Sequence, residues 1–265
     1  MTQLAADLKG DHRDGRPPLV FLHGFGASAR AWDPVIDLMP PDYPLIVYDL
    51  PGHAGSLPGP GIGGAGAMAR AILDDLGSRG IDRIHLAGHS MGGAIAALMT
   101  LRAGERVCSL MLAAPGGFGP EINHRLLDHY RQAVDVETMR MALEGMFGFN
   151  SALGDETIRR LVAMRRQPGA IEALKIIFDA MFIGSGETSD DDASRFQGVI
   201  AADALAEISC PVALVWGRLD GVLPVHQAAH APAGFTVTIL HGAGHMLPEE
   251  RPDVLAEILQ AAISG

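Results

Sequence analysis

The 265-residue chain has little cysteine, little positive charge and no long apolar run. Its two cysteines, Cys108 and Cys210, are too few for a disulfide framework or a zinc site. No stretch approaches the roughly 18 apolar residues of a membrane span, and the amino terminus lacks the basic and apolar regions of a secretory leader. With 20 Lys and Arg against 31 Asp and Glu, the net charge of −11 argues against nucleic acid and membrane surfaces as partners. We therefore expect a cytoplasmic location.

Segments of strand and helix type alternate along the first part of the chain. Continuous apolar runs predict strands at 19–22, 45–49, 83–87 and 107–113, and the segments between them predict helices at 29–38, 65–76 and 92–101. Such alternation with uninterrupted apolar strands is typical of a mostly parallel sheet covered by helices on both faces. The hydrophobic content of 48% is enough for a large core. The predicted fold class is therefore α/β.

The alternation stops after residue 116 and resumes near residue 207. The intervening sequence shows no strong strand, and four of its segments predict helices: 125–134, 136–146, 156–164 and 170–182. Strands follow at 212–216 and 235–240, and a last helix at 252–263. We therefore predict a core domain formed by 1–116 and 207–265 and a helical cap formed by 117–206. Residues 3–14 supply at most part of a hairpin, which limits the sheet to seven strands or fewer.

The most informative motif is Gly88-His89-Ser90-Met91-Gly92, between a predicted strand and a predicted helix. Glycines two residues before and after a serine permit the sharp strand-to-helix turn of a nucleophile elbow. That turn holds the Ser90 hydroxyl at the end of the sheet. Because a serine hydroxyl is a poor nucleophile unaided, the motif predicts a base and oxyanion-binding groups elsewhere in the chain.

His245 and Asp220 are the predicted partners of Ser90. His245 follows the strand 235–240, and imidazole is the side chain best suited to proton transfer near neutral pH. Asp220 follows the run 212–216 and would hold that imidazole in the required tautomer. Asp49 also ends a strand, but the Pro51-Gly52 turn after it indicates a loop-forming role.

Backbone amides are the expected oxyanion donors, because they are fixed dipoles that need no reorganisation as charge develops. Met91, directly after the nucleophile, would supply one amide. Phe25 would supply the other from the loop His23-Gly24-Phe25-Gly26, which follows the strand 19–22. His23 is predicted to shape this loop by hydrogen bonding, and His89 to pack or hydrogen-bond beside the elbow.

Taken in order, these motifs resemble the signatures of the α/β-hydrolase superfamily. They are His23-Gly24-Phe25-Gly26, Asp49-Leu50-Pro51-Gly52-His53-Ala54-Gly55-Ser56, Gly88-His89-Ser90-Met91-Gly92-Gly93, Gly217-Arg218-Leu219-Asp220 and Gly244-His245. The order serine, acid, histidine is also that of the superfamily. The resemblance implies the α/β-hydrolase fold with an inserted cap, and a Ser90-His245-Asp220 triad that uses neither a metal nor a cofactor.

The predicted cap contains most of the phenylalanines of the chain: Phe118, Phe147, Phe149, Phe178, Phe182 and Phe196. Five methionines lie in the same segment. An apolar cap over Ser90 would exclude water and bind an apolar acyl or alcohol group of a small-molecule substrate. Most of these side chains are expected to form the core of the cap itself, and the sequence does not distinguish the few that face the substrate.

Residues 112–123 more specifically resemble the hydrolase-like domain of acetoin dehydrogenase acyltransferase subunits. Those proteins carry a lipoyl domain ahead of the hydrolase domain, and the 18 residues before the first strand are too few for one. Cleavage of an ester, thioester or lactone is the favoured reaction. Acyl transfer, carbon–carbon bond hydrolysis and ligand binding without catalysis remain alternatives, since the fold serves them all. Carbon–carbon hydrolases usually carry Asn at the position of His89.

Residues 184–192 combine turn formers with a run of acids. Consecutive carboxylates on a loop more often form a solvated surface than a cation site. We predict an exposed loop there, and no metal. The sequence predicts no oligomeric state.

Overall fold

A computed structural model gives the fold of the chain, and it describes residues 3–13, 15–57, 59–149, 153–182 and 195–264. The strands are β1 (Ala6–Lys9), β2 (Leu19–Leu22), β3 (Leu45–Tyr48), β4 (Ile84–His89), β5 (Val107–Ala113), β6 (Val212–Gly217) and β7 (Phe235–Leu240). The helices are α1 (Asp33–Ile36), α2 (Ala65–Ser78), α3 (Met91–Ala103), α4 (His124–Gln132), α5 (Val136–Glu144), α6 (Asp155–Arg165), α7 (Ala170–Met181), α8 (Ala202–Ala206), α9 (Leu247–Glu250) and α10 (Pro252–Ser264).

The seven strands form one sheet in the order β1-β3-β2-β4-β5-β6-β7. All neighbouring pairs are parallel except β1 with β3. The inner strands β2, β3 and β4 are buried along their whole length, as expected where helices cover a parallel sheet. Helices α2 and α3 pack together on the sheet, and α1, α9 and α10 form a second group. The predicted α/β fold class is confirmed.

The register brings the carboxyl ends of the central strands to one edge of the sheet. Leu22 of β2 is level with Gly88 of β4, which is level with Leu112 of β5. Ala113, one residue later, is level with Val215 of β6. The loops that follow these strands therefore start close together in space, although they are far apart in sequence.

Two local predictions differ from the structure. The segment 29–38, predicted as one helix, is a short 3-10 turn (Ala29–Trp32) followed by the single turn α1, with Pro34 at its start. Proline fits the first turn of a helix but lacks the N–H needed further in, so the two turns do not merge into a regular helix. Strand β1 was not predicted, because three of its four residues are exposed and only its pairing with β3 identifies it.

Between β5 and β6 the described chain is mostly helical, as predicted. Helices α4, α5, α6 and α7 pack on one another, and we call them the inserted helices. Within the described residues of this insertion, the only β-type pairing is an isolated bridge between Phe182 and Gln197. The acidic stretch 184–192 lies outside the described residues. None of the helices in the described part of the chain has the length and apolar character needed to cross a bilayer.

Candidate active site

Ser90 lies on the sharp turn between β4 and α3, with backbone angles of φ 54° and ψ −118°. A positive φ at a residue other than glycine is strained and persists only where its surroundings enforce it. The Ser90 N–H donates to the Ala113 carbonyl at 2.9 Å, and its own carbonyl accepts from Gly116 at 2.9 Å. The strained conformation is thus fixed from the neighbouring strand.

Gly88 and Gly92 allow the backbone segments around the elbow to touch. A Cβ on Gly88 would collide with the carbonyl of Gly92, and a Cβ on Gly92 would collide with the carbonyl of Leu22. Both obstacles are backbone atoms, so no side-chain movement would relieve the overlap. The glycines are therefore required by close approach rather than by their own dihedral angles.

The three residues predicted to form a triad lie in one hydrogen-bonded chain. Nε2 of His245 is 3.0 Å from Oγ of Ser90, and Nδ1 of His245 is 2.8 Å from Oδ2 of Asp220. A ring nitrogen facing a carboxylate carries the proton, which leaves Nε2 free to accept one from the serine. All three side chains are buried, with the Asp220 carboxylate fully so.

Asp220 is held by three donors besides the histidine. Its Oδ1 accepts from the backbone amides of Val222 and Leu223, each at 2.8 Å, and its Oδ2 accepts from the indole N–H of Trp216 at 3.1 Å. These bonds compensate for burial of the carboxylate and fix its orientation toward the imidazole.

The loop that carries His245 is held by a residue that sequence reasoning missed. One carboxylate oxygen of Glu250 accepts from the amides of Gly148 and Gly244, and the other accepts from Met246. The His245 N–H donates to the Met146 carbonyl at 2.7 Å. An acid five residues after the histidine gave no local signal of this role, because Gly148 belongs to a distant part of the chain.

Phe25 and Met91, the two residues predicted to supply the oxyanion amides, line the cavity that contains Ser90. Met91 is the first residue of α3, and the amides of a first helical turn have no acceptor inside the helix. His23 donates from Nδ1 to the Gly24 carbonyl at 2.7 Å and accepts from the Leu50 amide at 3.0 Å. It therefore shapes the loop by hydrogen bonding rather than facing Ser90.

The other buried histidines near the site also make structural hydrogen bonds. His89 donates from Nε2 to the carbonyl of His245 at 2.8 Å, and burial lowers its pKa to about 3. His53 accepts from the Gly26 amide at 3.0 Å, and burial holds its pKa well below the ordinary value. The pKa of His23 is also lowered by burial, against an opposing effect of Asp49. These imidazoles are thus neutral, fixed components of the site at pH 7.

Asp49 is engaged in its own loop. Its two carboxylate oxygens accept from the backbone amides of Ala29 at 2.8 Å and Gly55 at 3.0 Å. The carboxylate thus joins the loop after β3 to the start of the 29–32 turn. The structure brings Asp220, and not Asp49, to the imidazole of His245.

Ser90 opens into a cavity of about 270 Å³ with an apolar lining. The core contributes Phe25, Ala94, Leu98 and Leu223, and the inserted helices contribute Leu127, Ala180 and Met181. Gln197 is the only polar side chain besides Ser90 among the described lining residues. A larger open groove along α2 includes Asp74 and Ser78 but none of the three triad residues.

None of the six phenylalanines in the predicted cap lines this cavity. Phe118 is buried against Trp216 and Phe235 of the core, and Phe178 packs against Phe182. Phe149 is exposed. Phe118, Phe178 and Phe182 therefore serve packing, and Phe25 of the core is the aromatic residue in the described cavity wall.

The chain belongs to the Alpha/beta hydrolase family, which it matches over residues 19–258. It is 30% identical to the dihydrolipoyllysine-residue acetyltransferase component of the acetoin cleaving system of Cupriavidus necator, over 95% of this chain and 64% of that protein. The expected similarity to acetoin-system acyltransferases is thereby confirmed, and the chain spans less than two thirds of that relative's length.

Two further comparisons come from different enzymes of the fold. The pimeloyl-[acyl-carrier protein] methyl ester esterase of Vibrio campbellii is 28% identical, with 80% of each chain covered. The crystal structure of a bacterial membrane phospholipase A superposes with a TM-score of 0.80 at 26% identity, covering 100% of this chain and 84% of that one. A hydrolase family with esterase relatives supports an enzymatic function.

Proposed function

We propose that this protein is a serine hydrolase that cleaves a carboxylic ester, thioester or lactone through an acyl-enzyme. One observation carries the proposal: the continuous hydrogen-bonded path from Ser90 Oγ through the His245 ring to Asp220, at the wall of an apolar cavity. Ser90 is the nucleophile, His245 the general base and acid, and Asp220 the group that orients the imidazole.

In the first half-reaction, Oγ of Ser90 attacks the carbonyl carbon while its proton moves to Nε2 of His245. The carbonyl oxygen becomes an oxyanion, which the amides of Phe25 and Met91 would bind. Asp220 stabilises the imidazolium that has formed. When the bond to the leaving group breaks, His245 returns the proton to the departing oxygen or sulfur, and an acyl group remains on Ser90.

In the second half-reaction, a water molecule attacks the acyl carbon and gives one proton to His245. A second tetrahedral oxyanion forms against the same two amides. Its collapse breaks the bond to Ser90 Oγ, which recovers the proton from the imidazolium. The acid product leaves, and the enzyme returns to its starting state without a metal or a cofactor in any step.

The cavity supports a small, uncharged, apolar acyl or alcohol group as the part of the substrate that is bound. Its volume of about 270 Å³ lies below the range of roughly 300–1,000 Å³ of most ligand pockets. The amide of Gln197 is already bonded to the backbone of Gly117 and Gly119, so it offers little to a charged ligand. None of the described lining residues is a Lys, Arg or His, so a carboxylate beside them would be desolvated without a cation to offset the cost.

We further propose that residues 117–206 act as a cap on the core formed by 1–116 and 207–265. Leu127 of α4 and Met181 of α7 support this division, since they line the same cavity as Ser90, which the core carries. A cap in this position would exclude bulk water from the oxyanion and select the size of the acyl group.

Ser90→Ala tests the proposal, with Ser109→Ala as its matched control. Ser109 also lies beside a histidine, with its Oγ 2.7 Å from Nδ1 of His85, but neither residue adjoins the cavity. Ser90→Ala should lower turnover of a short p-nitrophenyl ester by several orders of magnitude, whereas Ser109→Ala should not. A fluorophosphonate probe should label the parent protein at Ser90 within minutes. Absence of both labelling and turnover in the parent would refute the hydrolase and favour a ligand-binding role.

Acyl transfer is the second candidate, because the Cupriavidus relative is an acetyltransferase component. Both reactions share the acyl-enzyme and differ only in the acceptor. Turnover of the same ester with added alcohols or thiols distinguishes them: new esters or thioesters in excess of free acid would favour the transferase. Carbon–carbon cleavage would instead require turnover of a diketone substrate under conditions where simple esters are not cleaved.

A further inference from the structure

In the loop 23–27, the three consecutive peptide units between Gly24 and Ala27 are each held by side chains from other residues or other elements. The Gly24–Phe25 unit, which carries the Phe25 N–H, is held through its carbonyl by His23 at 2.7 Å. The next unit donates its Gly26 N–H to His53 at 3.0 Å. Both histidines belong to the core.

The third unit is held from the inserted helices. The Gly26 carbonyl accepts from Nη1 of Arg165 at 2.8 Å and from the Tyr130 hydroxyl at 3.2 Å. Arg165 is the last residue of α6 and Tyr130 lies in α4, so two separate helices converge on one carbonyl oxygen. The Arg165 guanidinium also lies over the Tyr130 ring, 4.8 Å from its centroid.

Gly26 itself is adapted to this contact. Its φ of +70° is in the left-handed region, and an added Cβ would lie 2.5 Å from Nη2 of Arg165 and 2.7 Å from a ring carbon of Tyr130. A side chain at this position would therefore push the inserted helices away from the loop. The absence of a side chain allows the guanidinium to lie directly against the backbone.

Arg165 is an unusual residue to bury for stability alone. Its side chain is almost completely enclosed, at 3% exposure, and Nε and Nη2 have no hydrogen-bond partner among the described residues. Desolvating a charge and leaving donors unused costs free energy that a methionine or leucine of similar size would not. Such an incompletely satisfied polar group is expected where function, rather than stability, retains it.

We propose that Arg165, together with Tyr130, is a positioning residue that fixes the loop 23–27, which we call the oxyanion loop, from the inserted helices. Its hydrogen bond to the Gly26 carbonyl locks the Gly26–Ala27 peptide unit, the second unit after the one that carries the Phe25 N–H, so the Phe25 amide has its productive orientation only while α4 and α6 are docked. The inference rests on the proposed function, because it assigns the Phe25 amide to the oxyanion. It makes the inserted helices part of transition-state stabilisation as well as of substrate binding.

Arg165→Met tests this inference, and Arg159→Met is the matched control. Arg159 lies on the same helix with its side chain exposed and paired to Asp155, so its replacement removes the same charge without touching the loop. For Arg165→Met we expect kcat on a p-nitrophenyl ester to fall by about 10- to 100-fold, a part of the 10²–10³ that a whole oxyanion donor is worth. KM should change by less than about threefold, because the ground-state ester uses the oxyanion site little.

Two further measurements separate positioning from a structural role. A short alkyl boronic acid forms a tetrahedral adduct with a serine hydroxyl, so its inhibition constant should rise by the same factor as kcat/KM falls. The melting temperature should stay the same or increase, since replacing a buried charge by an apolar side chain is often neutral or stabilising. A structural role would instead lower the melting temperature and leave kcat of the folded fraction unchanged.

A kcat of Arg165→Met within about threefold of the parent's, or an equal loss in Arg159→Met, would overturn the inference. Should Arg165→Met not fold, Tyr130→Phe carries the same test, because it removes only the hydroxyl that donates to the Gly26 carbonyl. A kcat within about twofold of the parent's would then overturn it. Failure of the proposed function is distinguishable, since it would show as an inactive and unlabelled parent protein before any variant is made.

Discussion

The buried Asp220 carboxylate accepts hydrogen bonds from four donors, and Asp220→Asn tests the proposed mechanism by replacing it with an amide of the same shape. Oδ2 accepts from Nδ1 of His245 at 2.8 Å and from the Trp216 indole at 3.1 Å, and Oδ1 accepts from Val222 and Leu223 at 2.8 Å each. An asparagine has one acceptor oxygen for these four donors. Its amide nitrogen would therefore face donors from which it cannot accept a hydrogen bond.

The orientation of the new amide decides the outcome. If the amide NH₂ faced the two backbone N–H groups, two buried donors would lose their acceptor, at about 1–3 kcal/mol each. The opposite orientation keeps those bonds, and the Trp216 indole retains its second acceptor, the Leu223 carbonyl at 3.1 Å. The NH₂ then faces Nδ1 of His245, which must become an acceptor. The imidazole proton moves to Nε2, and that nitrogen can no longer take the proton of Ser90.

We therefore expect the wrong histidine tautomer in Asp220→Asn, and a fall in kcat of about 10⁴, equivalent to roughly 5 kcal/mol in the activation barrier. Initial rates on a p-nitrophenyl ester at pH 7.5 measure it, with thermal unfolding to establish that the variant is folded. Asp49→Asn is the control, because the Asp49 carboxylate bonds to the amides of Ala29 and Gly55 and not to the imidazole of His245, so the folded variant should retain nearly full kcat. A folded Asp220→Asn with more than about a tenth of the parent kcat would refute the assigned role of Asp220.

Three other outcomes are expected. The neutral p-nitrophenyl hexanoate should be cleaved with a kcat/KM at least about 100-fold above that of mono-p-nitrophenyl adipate, whose terminal carboxylate would be desolvated; equal values would contradict the apolar cavity. Burial lowers the pKa of His89 to about 3, so as the pH falls His89 is protonated in the unfolded state before it is protonated in the folded state. The free energy of unfolding should therefore decrease below about pH 6.5, by up to about 1.4 kcal/mol per pH unit. Urea unfolding of His89→Asn between pH 6.5 and pH 4 should show a flatter dependence than the parent, and an unchanged slope would exclude His89 as a cause. Gly92→Ala should destabilise the protein by more than about 2 kcal/mol in the same assay, because its Cβ would collide with the carbonyls of Leu22 and His23. Gly77→Ala, in open space on α2, should be neutral or stabilising; similar effects at both positions would refute the steric argument.

Much of the fold could be predicted from sequence, because the central strands are continuous apolar runs between turn residues. The predicted bounds of β5 and β7, 107–113 and 235–240, are those of the structure. Strand β1 could not be predicted, since the apolar–polar alternation of Ala-Asp-Leu-Lys spans only four residues, three of them exposed, and its pairing with the edge of β3 is what identifies it. Local composition is thus sufficient to predict buried strands and insufficient to predict a strand that is identified only by its pairing with a neighbour.

The residues of the candidate site also fall into those that could be predicted from the sequence and those that could not. Ser90, Asp220 and His245 could be predicted, because each lies in a short motif directly after a strand and parallel strands end at one edge. Glu250 and Arg165 could not, since they hold backbone groups 102 and 139 positions away that no local pattern connects to them. The phenylalanines of the insertion were recognisable as apolar, but the side of each helix that meets the cavity depends on how the helices dock.

The groups proposed to carry out the reaction and those proposed to set its specificity come from different parts of the molecule. Ser90, His245 and Asp220, the proposed nucleophile, base and acid, lie at the sheet edge and in its loops, where hydrogen bonds fix the Ser90 and His245 backbone and the Asp220 carboxylate. The inserted helices supply part of the cavity wall and, through Arg165, one restraint on the oxyanion loop. A change of substrate could therefore arise by altering Leu127 or Met181 with Ser90, His245 and Asp220 intact, whereas displacing α6, which carries Arg165 and contributes no described lining residue, would weaken catalysis through the Gly26 contact. Variation within the cavity wall should consequently alter relative kcat/KM among acyl chains, while loss of the Gly26 contact should lower kcat for all of them by a common factor.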